Sequence, residues 1–190
     1  MLILASESPR RKELLKQLVS EFTVAAPGVE ELESGEDLET LPEKNAALKA
    51  QAVAEKFPEA FVLGADTAVF ADNRMLGKPG SREEAIQMLT LLSGRTHRVI
   101  SGTALICRAR KICCTWSTLS EVSFAPLTPE KITEYMEKVK VLDKAGAYAI
   151  QEHPELLGAK WEGELENIIG LPLVKLKEVL KKYSVINKNI

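Results

Sequence analysis

The chain has 190 residues, of which 45% are apolar and 27% charged, and this composition supports a packed core and excludes an intrinsically disordered protein. The chain has a formal net charge of −2, so it lacks the excess of basic residues that is typical of nucleic-acid-binding domains. No apolar run approaches the length of a transmembrane helix, so we expect neither nucleic acid nor a membrane as a partner.

Histidine and cysteine limit the chemistry that this chain can perform. The three cysteines, Cys107, Cys113 and Cys114, have neither the number nor the spacing of a disulfide framework, so we expect reduced thiols and a cytoplasmic protein. With only His97 and His153, a zinc site built from His and Cys is not indicated, and no G-x-S-x-G motif is present. Catalysis would therefore depend on carboxylates, lysines and arginines.

Apolar runs and capping residues predict strands and helices in the first half of the chain. Residues 2–5 indicate a buried strand, and Ser8 followed by Pro9 is typical of a capped helix start. The acidic stretch 27–39 predicts a loop. A strand is expected over 61–66, and residues 67–70 are expected to continue extended.

Two capping boxes predict the next helices, over 40–57 and 81–92, because a threonine or serine at each start is followed three residues later by Glu43 and Glu84 respectively. Between these helices, residues 71–74 predict a hairpin turn.

The remaining elements complete a mixed pattern. In chain order they are strands over 97–106 and 112–124, a helix over 128–139, short strands over 144–151 and 164–169, and a helix over 172–183. Because a hairpin interrupts the alternation of strand and helix, the sequence predicts an α/β fold with a mixed sheet.

The first predicted helix carries three cations, Arg10, Arg11 and Lys12, in its first turn. The helix dipole disfavours positive charge there, but a bound phosphate would reverse that effect and would be gripped by the guanidinium groups and backbone N–H groups. The residues alone leave two interpretations open, a phosphate site or an ordinary capped helix with solvated charges.

Asp66 is expected to end the strand 61–66, and ligands of open α/β sheets bind beyond the carboxyl ends of strands. A carboxylate there can hold Mg²⁺ or Mn²⁺, or take a proton from water. The alternative is a turn-forming aspartate. Lys78, fixed between Gly77 and Pro79, is either a phosphate ligand or a solvated turn residue.

Three other side chains have two interpretations each. Lys49 lies in an alanine-rich predicted helix and either points into a cleft or is a surface lysine. Gln151 has the donor and acceptor that match the N3–H and O4 edge of uracil or thymine, or it is a surface residue. Glu121 needs a partner if it points inward and is solvated if it points outward.

Taken in order along the chain, nine segments resemble the motifs of the Maf family, and the match runs over nearly the whole chain. They are Leu4-Ala5-Ser6-x-Ser8-Pro9-Arg10-Arg11, Glu30-Glu31, Lys49, Gly64-Ala65-Asp66-Thr67, Gly77-Lys78-Pro79, Leu92-Ser93-Gly94-x-Thr96-His97-x-Val99, Ser120-Glu121-Val122-x-Phe124, Asp143-Lys144-Ala145-Gly146-Ala147-Tyr148 and Gly170-Leu171-Pro172. Each motif is weak alone, and the ordered set is specific.

The resemblance implies a fold and a reaction. The fold is a single Maf/ITPase-like α/β domain over 1–190, with an elongated mixed sheet flanked by helices and two lobes around a central cleft. The reaction is the hydrolysis of a nucleoside triphosphate between its α- and β-phosphates, with Mg²⁺ or Mn²⁺ as cofactor. A homodimer is an expectation from the resemblance alone.

The resemblance also implies roles for individual residues. Asp66 would accept the proton from water, and Glu31 would help Asp66 to hold the metal. The expected substrate-binding residues are Ser6, Arg10, Arg11, Lys49, Thr67, Lys78 and Gln151.

The choice of base depends on a few positions. Arg10, Thr67 and Gln151 resemble the branch that acts on dTTP and UTP, whereas the 7-methyl-GTP branch has tryptophan after Ser-Pro. The chain departs from the family at Lys140-Val141, where Glu-Pro is usual, and at Ala149, where glycine is usual. The alternatives are the same reaction on 7-methyl-GTP or a modified nucleotide, and a non-catalytic regulator of septum formation.

Overall fold

The computed structural model describes residues 1–35 and 37–187. Across these residues the strands are β1 (Leu2–Leu4), β2 (Thr23–Val24), β3 (Phe61–Ala71), β4 (Arg74–Leu76), β5 (Thr96–Cys107), β6 (Ile112–Ser123) and β7 (Lys160–Glu162). The helices are α1 (Pro9–Lys16), α2 (Leu41–Lys56), α3 (Arg82–Leu92), α4 (Pro129–Lys138), α5 (Pro154–Leu157), α6 (Leu165–Ile169) and α7 (Leu173–Lys182), and two short 3₁₀ turns cover Leu38–Thr40 and Ala145–Ala147.

The strands form one mixed sheet, as the sequence predicts. Its order is β2-β1-β3-β5-β6-β7, and β4 pairs with β3 outside this path. β1 is parallel to both β2 and β3, while β4 is antiparallel to β3 and β7 is antiparallel to β6. None of the described helices is both long and apolar enough to cross a bilayer.

The chain divides into two compact units. Of the described residues, the first contains 1–35, 37–66, 101–118 and 170–187, and the second contains Thr67–Ile100 and Leu119–Ile169. The single domain with two lobes around a cleft remains a prediction.

In the first unit, α2 lies directly against the backbone of the sheet. A Cβ atom on Gly64 of β3 would lie 2.2 Å from the Ala46 carbonyl oxygen, and one on Gly102 of β5 would lie 2.2 Å from the backbone of Pro42. Glycine at these two strand positions is therefore what lets the helix approach so closely.

The helix over 40–57 is confirmed, but its predicted capping box is wrong. The Thr40 side chain makes no cap, and its hydroxyl donates to the Asp37 carbonyl at 2.8 Å because a 3₁₀ turn precedes α2. The Glu43 carboxylate instead accepts from Thr115 at 2.6 Å and from Ser117 at 2.9 Å, both on β6.

The other predicted helix starts and the hairpin turn are confirmed. Ser8 accepts from the Arg11 N–H at 3.5 Å, and Ser81 accepts from the Glu84 N–H at 3.1 Å. Asp72 and Asn73 both have positive φ, as a two-residue hairpin turn with matching twist requires.

Three strand predictions are wrong. Asp66 does not end its strand, because residues 67–70, predicted to continue extended, belong to the same strand, β3, which reaches Ala71. Residues 144–151 form a 3₁₀ turn and irregular chain, because Gly146 and Ala147 have positive φ. Residues 164–169 contain α6 instead of a strand.

An aromatic cluster forms part of the core of the second unit. The rings of His97, Phe124 and Tyr148 pack edge to face at centroid distances of 4.9 to 5.4 Å, and His97 Nε2 lies 2.9 Å from the Tyr148 hydroxyl. Burial lowers the pKa of His97 to about 4 and raises the pKa of Tyr148. His97 is therefore neutral at physiological pH.

We expect Gly64→Ala to lower the free energy of unfolding by at least about 2 kcal/mol, because the new methyl group has no space beside α2. Gly77→Ala is the control, since no atom lies within 4 Å of its Cβ position. Urea unfolding measures both changes. Equal midpoints for the two variants would show that α2 does not press on β3.

The low pKa of His97 predicts a loss of stability in acid. Below about pH 6.5 the unfolded chain binds a proton at His97 that the folded chain does not bind until about pH 4, so the free energy of unfolding should fall by up to about 3 kcal/mol over this window. His97→Gln should flatten this part of the pH profile, and His153→Gln, at an exposed position, should not. Denaturant unfolding at several pH values tests the difference; identical profiles for both variants would contradict it.

Candidate functional site

Asn45 and Lys49 lie one turn apart on the face of α2 that packs against β3, and only 4% and 6% of their surfaces are exposed. Both contact Asp66, which is 8% exposed. Lys49 Nζ donates to Asp66 Oδ1 at 2.7 Å, and Asn45 Nδ2 donates to Asp66 Oδ2 at 3.2 Å. Each carboxylate oxygen thus has its own partner on α2.

Asn45 also fixes the loop that carries Glu31. Its Oδ1 accepts from the Leu32 N–H at 2.7 Å, and its Nδ2 donates to the Leu32 carbonyl at 3.1 Å. The neighbouring Glu31 side chain, 43% exposed, places Oε1 2.6 Å from Lys49 Nζ. One buried ammonium group is therefore shared by two carboxylates.

Ser6 and Arg11 lie close to this ion cluster. The Ser6 hydroxyl accepts from the Ser8 N–H and from Arg11 Nη1, both at 3.3 Å, and Arg11 Nε donates to the Gly170 carbonyl at 2.9 Å. Burial lowers the pKa of the Arg11 guanidinium, while the charges of Asp66 and Glu31 raise it. Two hydrogen bonds, to Gly170 and to Ser6, thus hold the Arg11 guanidinium near enough to Asp66 and Glu31 for their charges to act on it.

The first unit brings together most of the residues predicted from the sequence. Ser6, Arg11, Glu31, Lys49 and Asp66 are linked as described above, and the half-buried Arg10 is near enough to Arg11 to lower its pKa. Lys49 is not a surface lysine, so that alternative is wrong.

The other predicted residues belong to the second unit. Thr67 follows Asp66 in β3 and is half-buried, while Lys78 and Gln151 are exposed. The loop that carries Lys78 is tied to the 3₁₀ turn Ala145–Ala147 because the Gly146 N–H donates to the Gly77 carbonyl at 3.0 Å. The substrate-binding roles of these three residues remain predictions.

Glu121 is exposed on β6, opposite Glu162 of β7, so it points outward and is solvated. Asn45, in contrast, is part of the site and is absent from the residues that the sequence predicted. Its spacing of four from Lys49 in a predicted helix is the signal that indicates a shared face.

The predicted metal ligands fit a divalent cation only together with another source of oxygen. In residues 1–35 and 37–187, no group of three or more His, Cys, Asp or Glu side chains is arranged to hold a metal ion. Glu31 and Asp66 supply two carboxylates, which are hard oxygen ligands, and both pair with Lys49. Mg²⁺ commonly uses one or two carboxylates with substrate phosphates, so the donor set fits a metal that arrives with a phosphorylated ligand.

We expect Lys49→Met to lower the free energy of unfolding by about 2 kcal/mol or more, because two carboxylates lose their shared cation. Lys16→Met is the matched control: Lys16 pairs with Glu13 at 2.7 Å on the surface, and such a pair contributes less than about 1 kcal/mol. Chemical denaturation at neutral pH compares the two. A loss for Lys49→Met no larger than the control would contradict a buried, stabilising ion cluster.

Known proteins with similar sequences agree with the motif pattern. A protein of Symbiobacterium thermophilum named dTTP/UTP pyrophosphatase is 45% identical over 183 residues, which cover 96% of this chain and 93% of that protein. One of the same name from Bacillus velezensis is 42% identical over 189 residues, covering 97% of each chain.

The fold and the family follow from two further comparisons. The structure of the Staphylococcus aureus Ham1 protein matches with a TM-score of 0.52 at 16% identity, covering 96% of this chain and 98% of that one, which confirms the predicted fold class. The family model described as Maf-like protein matches residues 1–183. The chain therefore belongs to the Maf family.

Proposed function

We propose that the chain is a nucleoside triphosphate pyrophosphatase that hydrolyses dTTP and UTP to the monophosphate and pyrophosphate. The names of the relatives described above support the substrate class. The observation that carries the proposal is the buried Lys49 ammonium group shared by Asp66 and Glu31, with Arg11 beside it. In such a site the carboxylate can take a proton from water, and the cations can bind the negatively charged phosphates that the water attacks.

In the proposed reaction, water attacks the α-phosphorus and the bond from the α-phosphorus to the bridging oxygen breaks, so that pyrophosphate leaves. Asp66 takes the proton from the attacking water. Its Oδ1 faces the Lys49 cation at 2.7 Å, whereas Oδ2 faces the neutral amide of Asn45. We assign the proton to Oδ2, because Oδ1 is already engaged by the Lys49 ammonium group.

The cations of the site would stabilise the charge that develops on the phosphates. Arg11 is held by the Gly170 carbonyl and the Ser6 hydroxyl, so its guanidinium is oriented before substrate binds. Arg10 and Lys49 add positive charge. When Mg²⁺ or Mn²⁺ is bound, it would polarise the α-phosphate, and Glu31 and Asp66 would hold it.

We propose that Gln151 recognises the base. The Gln151 amide can accept from the N3–H of uracil or thymine and donate to O4. Thr67 and Lys78 are proposed to contact the substrate as well. We place the reaction in the cytoplasm, and the three unpaired thiols of Cys107, Cys113 and Cys114 support that location.

We expect Asp66→Asn to reduce kcat about a thousandfold, because an amide cannot accept the proton from water. Asp72→Asn, in the exposed hairpin turn, is the control and should keep wild-type activity. Pyrophosphate release from UTP and dTTP with Mg²⁺ or Mn²⁺ measures both. Activity of Asp66→Asn equal to that of the control would remove Asp66 as the base.

The same assay with CTP, GTP, ITP, ATP and 7-methyl-GTP tests the substrate. Preference for another nucleotide would keep the reaction and overturn the base assignment. If the wild-type protein hydrolyses no nucleotide with either metal, the pyrophosphatase proposal fails and a regulatory role without catalysis takes its place.

A further inference from the structure

Tyr135 of α4 holds the backbone of Ala149 with a single hydroxyl group. Its Oη accepts from the Ala149 N–H at 3.0 Å and donates to the Ala149 carbonyl at 3.2 Å. The Tyr135 side chain is fully buried, and Ala149 is also buried. In a segment that the sequence predicted as a strand, both polar backbone groups of Ala149 thus bond to a side chain, and the Ala149 carbonyl also accepts from the Glu152 N–H at 3.1 Å.

The two hydrogen bonds between Tyr135 and Ala149 persist at neutral pH. Burial raises the pKa of Tyr135 to about 12, so the hydroxyl keeps its proton and can donate and accept at once. A buried backbone N–H group needs a partner, and the Tyr135 hydroxyl is the partner of the Ala149 N–H, so the path of the chain at Ala149 depends on Tyr135.

Other anchors hold the same segment on either side of Ala149. Lys144 Nζ lies 2.9 Å from Asp143 and 3.5 Å from Glu152, and Tyr148 is bonded to His97. Gln151 is exposed between these anchors. Among the anchored residues that precede Gln151, Ala149 is the nearest in the chain. The bonds from Tyr135 to Ala149 therefore constrain the backbone that leads into Gln151.

A fixed backbone matters because a glutamine amide has both a hydrogen-bond donor and an acceptor, whose positions exchange when the amide rotates. Uracil and thymine present an N3–H donor and an O4 acceptor, whereas cytosine presents an N3 acceptor and an N4–H donor. Rotation of the terminal torsion lets one amide match either pattern. Discrimination therefore requires surroundings that fix where the amide stands and which way it faces.

We propose that Tyr135 is a positioning residue for base selection, which fixes the backbone of Ala149 and thereby the orientation in which Gln151 meets a uracil or thymine base in preference to cytosine. This inference rests on the proposed function, in which Gln151 recognises the base. The hydroxyl acts through the backbone and does not touch the substrate.

The test compares kcat/KM for UTP and CTP in Tyr135→Phe, which removes both bonds and keeps the ring. The UTP/CTP ratio should fall about tenfold, while kcat at saturating UTP stays within about threefold of wild type. Tyr183→Phe, the same change after α7, should leave the ratio unchanged. If Tyr135→Phe slows UTP and CTP by the same factor, Tyr135 is only structural and the inference is overturned.

Two further variants separate this inference from the proposed function. Gln151→Ala should also lower the UTP/CTP ratio, and Tyr135→Phe added to it should lower the ratio no further, because both act on one contact. If Gln151→Ala leaves the ratio unchanged, the proposed role of Gln151 fails and the inference falls with it. If only Tyr135→Phe leaves it unchanged, the role of Gln151 stands and the inference alone fails.

A measurement on the wild-type protein covers the case in which Tyr135→Phe does not fold. The Ala149 amide should exchange its hydrogen with solvent as slowly as amides in the core strands, because its partner is a buried hydroxyl. Fast exchange at Ala149 would contradict a fixed backbone there and overturn the inference.

Discussion

The site depends on one buried cation, the Lys49 ammonium group, which bonds to Asp66 and Glu31 at once. A charge so far from water needs paired partners. The packing of α2 on β3 brings Asp66 to it, and the bonds between Asn45 of α2 and Leu32 hold the loop that carries Glu31. That packing is possible because Gly64 has no side chain where the Ala46 carbonyl lies. Gly64, together with Gly102 on β5, thus permits the geometry on which the proposed chemistry rests.

The charges of this cluster explain why it suits a polyphosphate. Two carboxylates outweigh one ammonium group, and Arg11, close enough for their charges to raise its pKa, offsets the remaining negative charge. A triphosphate that arrives with a divalent cation has much of its negative charge neutralised, and Arg10 can offset part of the rest. Asn45 is neutral and bonds to both Asp66 and Leu32, so it orders the carboxylates without altering this balance.

Local signals in the sequence predicted local structure well. The caps at Ser8 and Ser81 and the turn at Asp72 each depend on residues within a few positions, and all three formed as expected. The failures involve distant partners. Glu43 bonds to β6 rather than capping its helix, and the chain near Ala149 bonds to Tyr135 rather than to a strand. No pattern in either segment alone contains that information.

The site residues follow the same rule. The motif order names Ser6, Arg11, Glu31, Lys49 and Asp66, which lie together in the structure. The inward direction of Lys49 and the contacts of Asn45 depend on the packing of α2 on β3, which no motif contains. The most informative single measurement is the anomalous diffraction of Mn²⁺ in crystals with α,β-methylene-UTP, in which the bond to be cleaved is blocked. We expect a peak about 2.1 Å from a carboxylate oxygen of Glu31 or Asp66, with the phosphates beside Arg11. A metal and triphosphate bound away from both carboxylates would contradict the assignment of the reaction to this cluster.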